Sequence, residues 1–369
     1  MKFIDLSRGY ARYGSEIEAA VLRVLHSTRY ILGPEVSTLE KELAEFVGVS
    51  EAVGVSSGTD ALLLILKAFE FPPGSLVLTP AFTFVATAEA IRRVGLIPYF
   101  VDIDPLTYNL SPEEVEEALK KLSGKVSAVM AVSLFGLPAD FERLEPLCRE
   151  YGVVLIEDAC QSLGAELHGR RSGSFGKAAA TSFFPAKPLG GAGDGGMVFI
   201  HDRKLAEKIR ALRIHGQTET YYYEYSGING RLDELQAAIL RVKLRYFEEE
   251  LSLREEVAER YRQLLSEIPE IRVPIVPEGY RSSWAQFTIR AEARDELRAH
   301  LARKGIPTAI YYPIPLHLQP VFRDLGFSEG SLPQTEKAAK EVLSLPMHPY
   351  LEAEEQIFIV EAIKEFYGR

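Results

Sequence analysis

Apolar positions along the chain follow two periods that alternate over the first two hundred residues. Ile17, Ala20, Val21, Val24 and Leu25 fall at helical spacing over residues 16–25, and Leu39, Leu43 and Phe46 repeat the pattern over residues 37–46. Short apolar runs then interleave with helical segments. The runs 52–55, 76–79, 97–101, 126–132 and 153–156 predict strands, and 60–69, 87–94, 111–122 and 141–151 predict helices. Ser111-Pro112-Glu113-Glu114 opens its helix with a capping residue, a proline and two acids. Runs without a polar face belong to strands covered on both sides, so the alternation predicts an α/β domain around buried parallel strands. Residues 178–184 and 196–200 predict two more strands. From 232 to about 265 the pattern is helical almost throughout, and the domain boundary is placed inside it. Residues 1–245 form the large domain; residues 246–369 form a smaller α+β domain, with strands at 286–291 and 309–312 and helices at 295–304 and 353–367.

Composition narrows the function. The chain has 369 residues, 47% hydrophobic and 25% charged, enough for two domains. A net charge of −10 argues against a nucleic-acid footprint. No signal-like N-terminus, membrane-length apolar run or metal-ligand spacing is present, and the only cysteines are Cys148 and Cys160, which suits a reducing cytoplasm. Asparagine occurs only at Asn109 and Asn229, so a site that carries one is expected to need an amide.

The most informative residue is Lys187, in Ser182-Phe183-Phe184-Pro185-Ala186-Lys187-Pro188-Leu189-Gly190-Gly191. A lysine without a solvated face loses its proton more readily, and a neutral amine attacks carbonyls. Glu157-Asp158 ends an apolar strand 29 residues upstream, where an acid serves either as a helix cap or as a ligand group. A lysine for a Schiff base and an aspartate for a pyridinium nitrogen are what pyridoxal phosphate (PLP) chemistry requires. The turn Ser56-Ser57-Gly58-Thr59-Asp60 joins a strand to a helix and by itself reads first as a capped helix start, with an anion cradle as the alternative; Ser182 could reach the same anion. Phe82 and Phe84 are both placed for stacking on a planar ring or for core packing. Gly191-Ala192-Gly193-Asp194-Gly195-Gly196 matches G-x-G-x-x-G, but no strand precedes it and a strand, not a helix, follows, so a dinucleotide site is excluded.

These motifs, with Thr83-Phe84-Val85-Ala86-Thr87, Asn229-Gly230-Arg231-Leu232-Asp233-Glu234 and Tyr312-Pro313-Ile314-Pro315-Leu316-His317, occur in an order that resembles the DegT/StrS family of PLP-dependent nucleotide-sugar aminotransferases over nearly the whole chain. The resemblance implies the aspartate-aminotransferase-like fold (type I), with a mostly parallel seven-stranded sheet in the large domain, and a homodimer with shared active sites. It implies that Lys187 binds PLP covalently and shuttles the proton. Asp158 pairs with the ring nitrogen, Gln161 with the ring hydroxyl, and Phe84 stacks on the ring. Gly58, Thr59, Asp60 and Ser182 hold the phosphate, joined by Asn229 of the partner subunit. Tyr30, Arg231, Tyr311, Tyr312 and His317 meet the substrate.

Within the family, Arg29-Tyr30-Ile31-Leu32-Gly33-Pro34 and Leu345-Pro346-Met347-His348-Pro349 look most like enzymes that aminate C-3 of a UDP-linked 2-acetamido-3-keto uronic acid, with glutamate as amino donor. Tyr311 and Ala186 depart from that pattern, where relatives often have His and Ser. The alternatives are a dTDP-linked 3-keto-6-deoxy sugar as substrate, and a regulatory member of the family. A dehydratase of the same fold replaces the lysine by histidine, which Lys187 argues against.

Overall fold

Seven strands build the central sheet of the computed structural model, which describes residues 1–369. They are β1 (Glu51–Val55), β2 (Leu76–Pro80), β3 (Ile97–Val101), β4 (Val126–Val132), β5 (Val154–Asp158), β6 (Ala178–Ser182) and β7 (Gly196–Ile200), in the order β1-β7-β6-β5-β4-β2-β3. Neighbours from β6 to β3 pair in parallel, and β7 runs antiparallel to both β6 and β1. The expected mostly parallel sheet is therefore present, with one reversed strand.

The helices are α1 (Leu6–Ser27), α2 (Pro34–Val47), α3 (Gly58–Phe69), α4 (Val85–Arg93), α5 (Pro112–Lys121), α6 (Phe141–Glu150), α7 (Arg203–Leu212), α8 (Glu234–Leu265), α9 (Arg294–Arg303), α10 (Pro333–Glu341) and α11 (Ala353–Phe366). Ala61 to Leu66 of α3 are buried without a break, because this helix lies between the sheet and its neighbours α4 and α7. Its position fixes the amide-rich start of α3 at the edge of the sheet.

α8 is one helix of 32 residues that links two cores. Ala237 and Leu240 pack with β6 and β7, whereas Val257, Ala258, Tyr261 and Leu265 pack with the small antiparallel sheet β8 (Ile271–Arg272), β9 (Phe287–Ala291), β10 (Val342–Leu345) and with α9 and α11. The expected strand at 309–312 is reduced to a single bridge between Ala309 and Ser344. Tyr312 leads directly into Pro313 and Pro315, which cannot donate to a ladder. The pairing with β9 is made instead by β10. No helix is long and apolar enough to cross a membrane.

Candidate active site

The carboxyl ends of the parallel strands bring the candidate residues together. β5 ends in Asp158, β6 in Ser182, β1 in the turn that starts α3, and β2 leads through Phe82 and Phe84 into α4. This edge of an open parallel sheet is where ligands bind.

At the start of α3, the Ser57 hydroxyl accepts from the Asp60 amide at 3.0 Å, and the Ser56 hydroxyl donates to the Asp60 carboxylate at 2.5 Å. Asp60 is thereby occupied in holding the turn. The amides of Gly58 and Thr59 have no acceptor within the helix and face the helix dipole's positive end outward. A Cβ on Gly58 would stand 2.8 Å from both Ser182 Cβ and Cys160 Sγ, so the close approach of β6 and this turn requires glycine. The Ser182 hydroxyl accepts from the Phe184 amide at 3.2 Å and keeps its own proton to donate.

The Asp158 carboxylate is buried and fixed from two sides, by the Thr87 hydroxyl at 2.8 Å and the Cys160 amide at 3.1 Å. Lys187 lies near it. Burial pushes its ammonium below the ordinary value, opposed by the Asp158 carboxylate. Burial also pushes the Cys160 thiol up, so it stays protonated and is a neutral neighbour at pH 7. The Lys187 loop is closed by three backbone bonds, Lys187 to Phe184, Gly191 to Phe183 and Phe183 to Gly195, each 2.8 Å.

Phe82 and Phe84 separate cleanly. Phe82 is fully buried against Tyr108, Phe135 and Tyr312, while Phe84 is 54% exposed at the start of α4, with its ring 6.2 Å from that of Tyr312. Only Phe84 has a free face. Gln161 joins two distant motifs: its Oε1 accepts from the Phe135 amide at 3.0 Å and its Nε2 donates to the Tyr312 hydroxyl at 3.1 Å. Burial pushes the Tyr312 phenol up and keeps it protonated. Tyr311 packs beside it, with ring centroids 5.7 Å apart, and also beside Phe3.

The segment Asn229-Gly230-Arg231 runs along the end of β1, with the Ser56 amide bonded to Gly230 at 3.0 Å and Val55 bridged to Arg231. Tyr30 lies alongside, its carbonyl accepting from the Glu234 amide at 3.1 Å. Asn229 and Tyr30 are exposed, Arg231 is half-buried, and the guanidinium of Arg231 pairs with no carboxylate of its own chain.

His317 is not brought into this group. Its loop is anchored to the sheet by the Leu316 amide on the Ala81 carbonyl, and Leu316 packs with Phe322 and Phe100. That anchoring turns the imidazole inward, where it is fully buried 3.1 Å from Glu336 Oε1 and near the Phe327 ring. A motif histidine next to two tyrosines is thus a core residue. Sequence reasoning missed Thr87 and the packing role of Cys160. Thr83 and Thr87, four apart at a helix start with hydroxyls 3.1 Å from each other, were the available signal.

The geometry agrees with what this chain is similar to. The model of the DegT/DnrJ/EryC1/StrS aminotransferase family matches residues 12–364. A pleiotropic regulatory protein of Geobacillus stearothermophilus is 46% identical over 366 residues, 99% of this chain and 98% of the relative. The UDP-2-acetamido-2-deoxy-3-oxo-D-glucuronate aminotransferase of Pseudomonas aeruginosa is 46% identical over 352 residues, 95% of this chain and 96% of the relative. The crystal structure of a DegT DnrJ EryC1 StrS aminotransferase from Brucella abortus superimposes with a TM-score of 0.97 at 42% identity, covering 100% of both chains. The protein belongs to the DegT/DnrJ/EryC1/StrS aminotransferase family and has the type I fold of PLP-dependent transferases.

Proposed function

We propose that this protein is a PLP-dependent aminotransferase that places an amino group on C-3 of a UDP-linked 2-acetamido-3-keto uronic acid, with glutamate as donor. The observation that carries the reading is the convergence of Lys187, a doubly anchored Asp158 and the open amides of α3 at one sheet edge. These residues fit PLP: a phosphate cradle that tolerates no Cβ at Gly58, a fixed carboxylate and a partly desolvated amine.

When bound, PLP supplies an electron sink for the carbon that loses a proton. The chain's own groups do the rest. The amides of Gly58 and Thr59 and the Ser182 hydroxyl would hold the phosphate. Asp158, held by Thr87 and the Cys160 amide, keeps the proton on the ring nitrogen. Gln161 would meet the ring hydroxyl, and Phe84, with its free face, would cover the ring. Lys187 Nζ takes the proton from the donor's α-carbon and later returns one to C-3 of the sugar. Tyr30, Arg231, Tyr311 and Tyr312 line the sugar's side.

A homodimer in the cytoplasm completes the proposal. Phe84, Phe184, Tyr221, Tyr222 and Tyr223 are exposed on one chain, and Asn229 has no side-chain partner in it. This suits a second copy covering the site and Asn229 of the partner subunit reaching the phosphate. The unpaired Arg231 favours a sugar with a carboxylate over a 6-deoxy sugar. The regulatory reading has the name of the Geobacillus relative in its favour.

The test is product analysis. With glutamate and a panel of UDP- and dTDP-linked keto sugars, mass spectrometry is expected to find the amino sugar from the UDP-linked 3-keto uronic acid. Amination of the dTDP sugars alone would transfer the assignment to the 6-deoxy reading. No amination of any sugar, with glutamate converted, would remove the sugar from the proposal.

A further inference from the structure

Behind the Lys187 loop a cleft of about 370 Å³ opens between the loop, α1, α8 and residues 348–350. One face of α8 supplies Lys243, Glu250 and Arg254, spaced by seven and four residues and so aligned along the helix. Arg254 is only 5% exposed, yet it forms no ion pair. One of its nitrogens donates to the Trp284 carbonyl at 3.0 Å, while Nε is buried without a partner. Lys243 donates to the Gly190 carbonyl, in the loop that carries Lys187, and is likewise paired with no carboxylate.

Glu250 does not fill these needs. Its Oε1 accepts from the hydroxyls of Tyr13 at 3.0 Å and Tyr350 at 2.7 Å. The cleft's other carboxylate, Asp5, is taken by Lys2, Arg8 and Ser7, so neither acid forms an ion pair with Arg254 or Lys243. His348 adds a buried Nδ1 without a partner, and burial holds this imidazole neutral, with its pKa pushed down to about 4. A desolvated guanidinium with idle donors is costly unless something pairs with it. Glu250 acts on Arg254 only from beyond ion-pair distance, and the cleft reaches Lys187.

Resting on the proposed transamination, we infer that this cleft is a carboxylate subsite of the reaction, with Arg254 and Lys243 as the cations that receive the carboxylate. The amino donor supplies such a group, and the uronic sugar supplies it only if Arg231 does not hold the sugar's carboxylate.

The experiment uses the holoprotein after borohydride reduction, which blocks Lys187 from reacting with added ligands. Glutarate and its uncharged diamide are titrated by calorimetry. Glutarate is expected to bind and the diamide not. Arg254→Met and Lys243→Met are each expected to weaken glutarate roughly tenfold or more, as loss of a charged hydrogen bond does, with Arg254→Lys in between. Thermal melting checks folding, and if Arg254→Met does not fold, Lys243→Met and Arg254→Lys decide. Single-turnover experiments identify the source. A loss confined to the glutamate half-reaction assigns the subsite to the donor, and one confined to the sugar half-reaction assigns it to the uronic acid. Equal binding of glutarate and diamide to the wild type, or unchanged glutarate affinity in the folded variants, overturns the inference. Neither result depends on which sugar is aminated, so failure here is distinct from failure of the proposed function.

Discussion

Glu157 and Asp158 are neighbours on β5, both acidic and both buried, and they face two differently built regions. Glu157 points to the rear of the strand, into a nest of donors: the hydroxyls of Ser133 and Ser172 and the amides of Gly173 and Phe175. Every direction open to its oxygens is taken by the protein. Asp158 points to the front, where Thr87 and the Cys160 amide fix each oxygen once and leave the side towards Lys187 open. The same contrast extends outward. Around Glu157 the groups are buried and paired; on the ligand edge to which Asp158 belongs, Phe84 is exposed, and at the end of β1, three strands away, Arg231 and Asn229 are without partners. A structural region uses up its hydrogen-bonding capacity, whereas a site keeps some in reserve for what it binds.

The largest expected effect is on the front side. Lys187→Ala should lower turnover by several orders of magnitude, and borohydride treatment followed by peptide mass spectrometry should find no cofactor adduct at position 187. The same variant examines the shared site. Mixed with inactive Asn229→Asp chains, it should regain activity, because one site of each mixed dimer then combines an intact lysine with an intact asparagine. Demonstrated subunit exchange without any regain would place Asn229 outside the site.

Next in size is the pair Phe82 and Phe84, two residues apart on opposite sides of the same divide. Phe82→Ala leaves a cavity among Tyr108, Phe135 and Tyr312 and should cost about 3–5 kcal/mol in urea unfolding. Phe84→Ala should change apoprotein stability by no more than about 0.5 kcal/mol but weaken cofactor binding, measured by titration. Equal stability losses would erase the distinction between core and site on which the comparison rests.

A third test uses pH. Burial pushes Glu157 up to about 7 from an ordinary 4.5, against the lowering effect of its hydrogen bonds. The folded state therefore binds a proton more tightly than the unfolded chain. Its stabilising contribution is full below about pH 4.5 and is lost as pH rises through 7, a swing on the order of 3 kcal/mol. Glu157→Gln mimics the protonated form and removes this slope. The stability of wild type relative to Glu157→Gln should fall between pH 4.5 and 7; a flat difference would mean that the nest holds Glu157 ionised throughout.

How much of this was legible beforehand follows the same divide. The parallel strands were readable because burial on both faces demands unbroken apolar runs, as in Val154 to Ile156. α7 and α10 escaped although Asp202 caps the first by accepting from the Lys204 and Leu205 amides. α10 offers only Ala338 and Ala339 to set a period, whereas α7 carries Leu205, Ala206, Ile209 and Leu212 on one face, a helical pattern that was there to read. β10 was invisible because its partner β9 lies about fifty residues away, and four residues carry no period of their own. Lys187, Gly58 and Asp158 stood out because their types conflict with their surroundings. Lys243 and Arg254 did not, since cations on a long polar helix normally face water. Only packing of α1 against α8 shows that these two do not. Asp158 was chosen over Glu157 by the family motif; that Glu157 is spent on the core rests on the loop 172–175, which local sequence cannot place.

The smallest effect sharpens the comparison most, because it asks what the reserved capacity at the front is for. Arg231 has a half-buried guanidinium with no carboxylate in its own chain. If the substrate is a uronic acid, its carboxylate takes the planar fork through two parallel hydrogen bonds, worth about 1.5–3 kcal/mol together. Arg231→Lys keeps the charge and loses the fork, so kcat/KM for the uronic substrate should fall roughly tenfold or more. A 6-deoxy substrate has no carboxylate at that place and should be affected much less. The measurement is kcat/KM for both sugars in wild type and variant, with the glutamate half-reaction followed separately. An unchanged glutamate half-reaction confines the loss to the sugar. Equal losses on the two sugars would mean that Arg231 holds something common to both, such as the nucleotide or the cofactor. In that case Tyr311 and Ala186, the two positions that depart from the uronic-acid pattern, become the places to look for what selects the sugar.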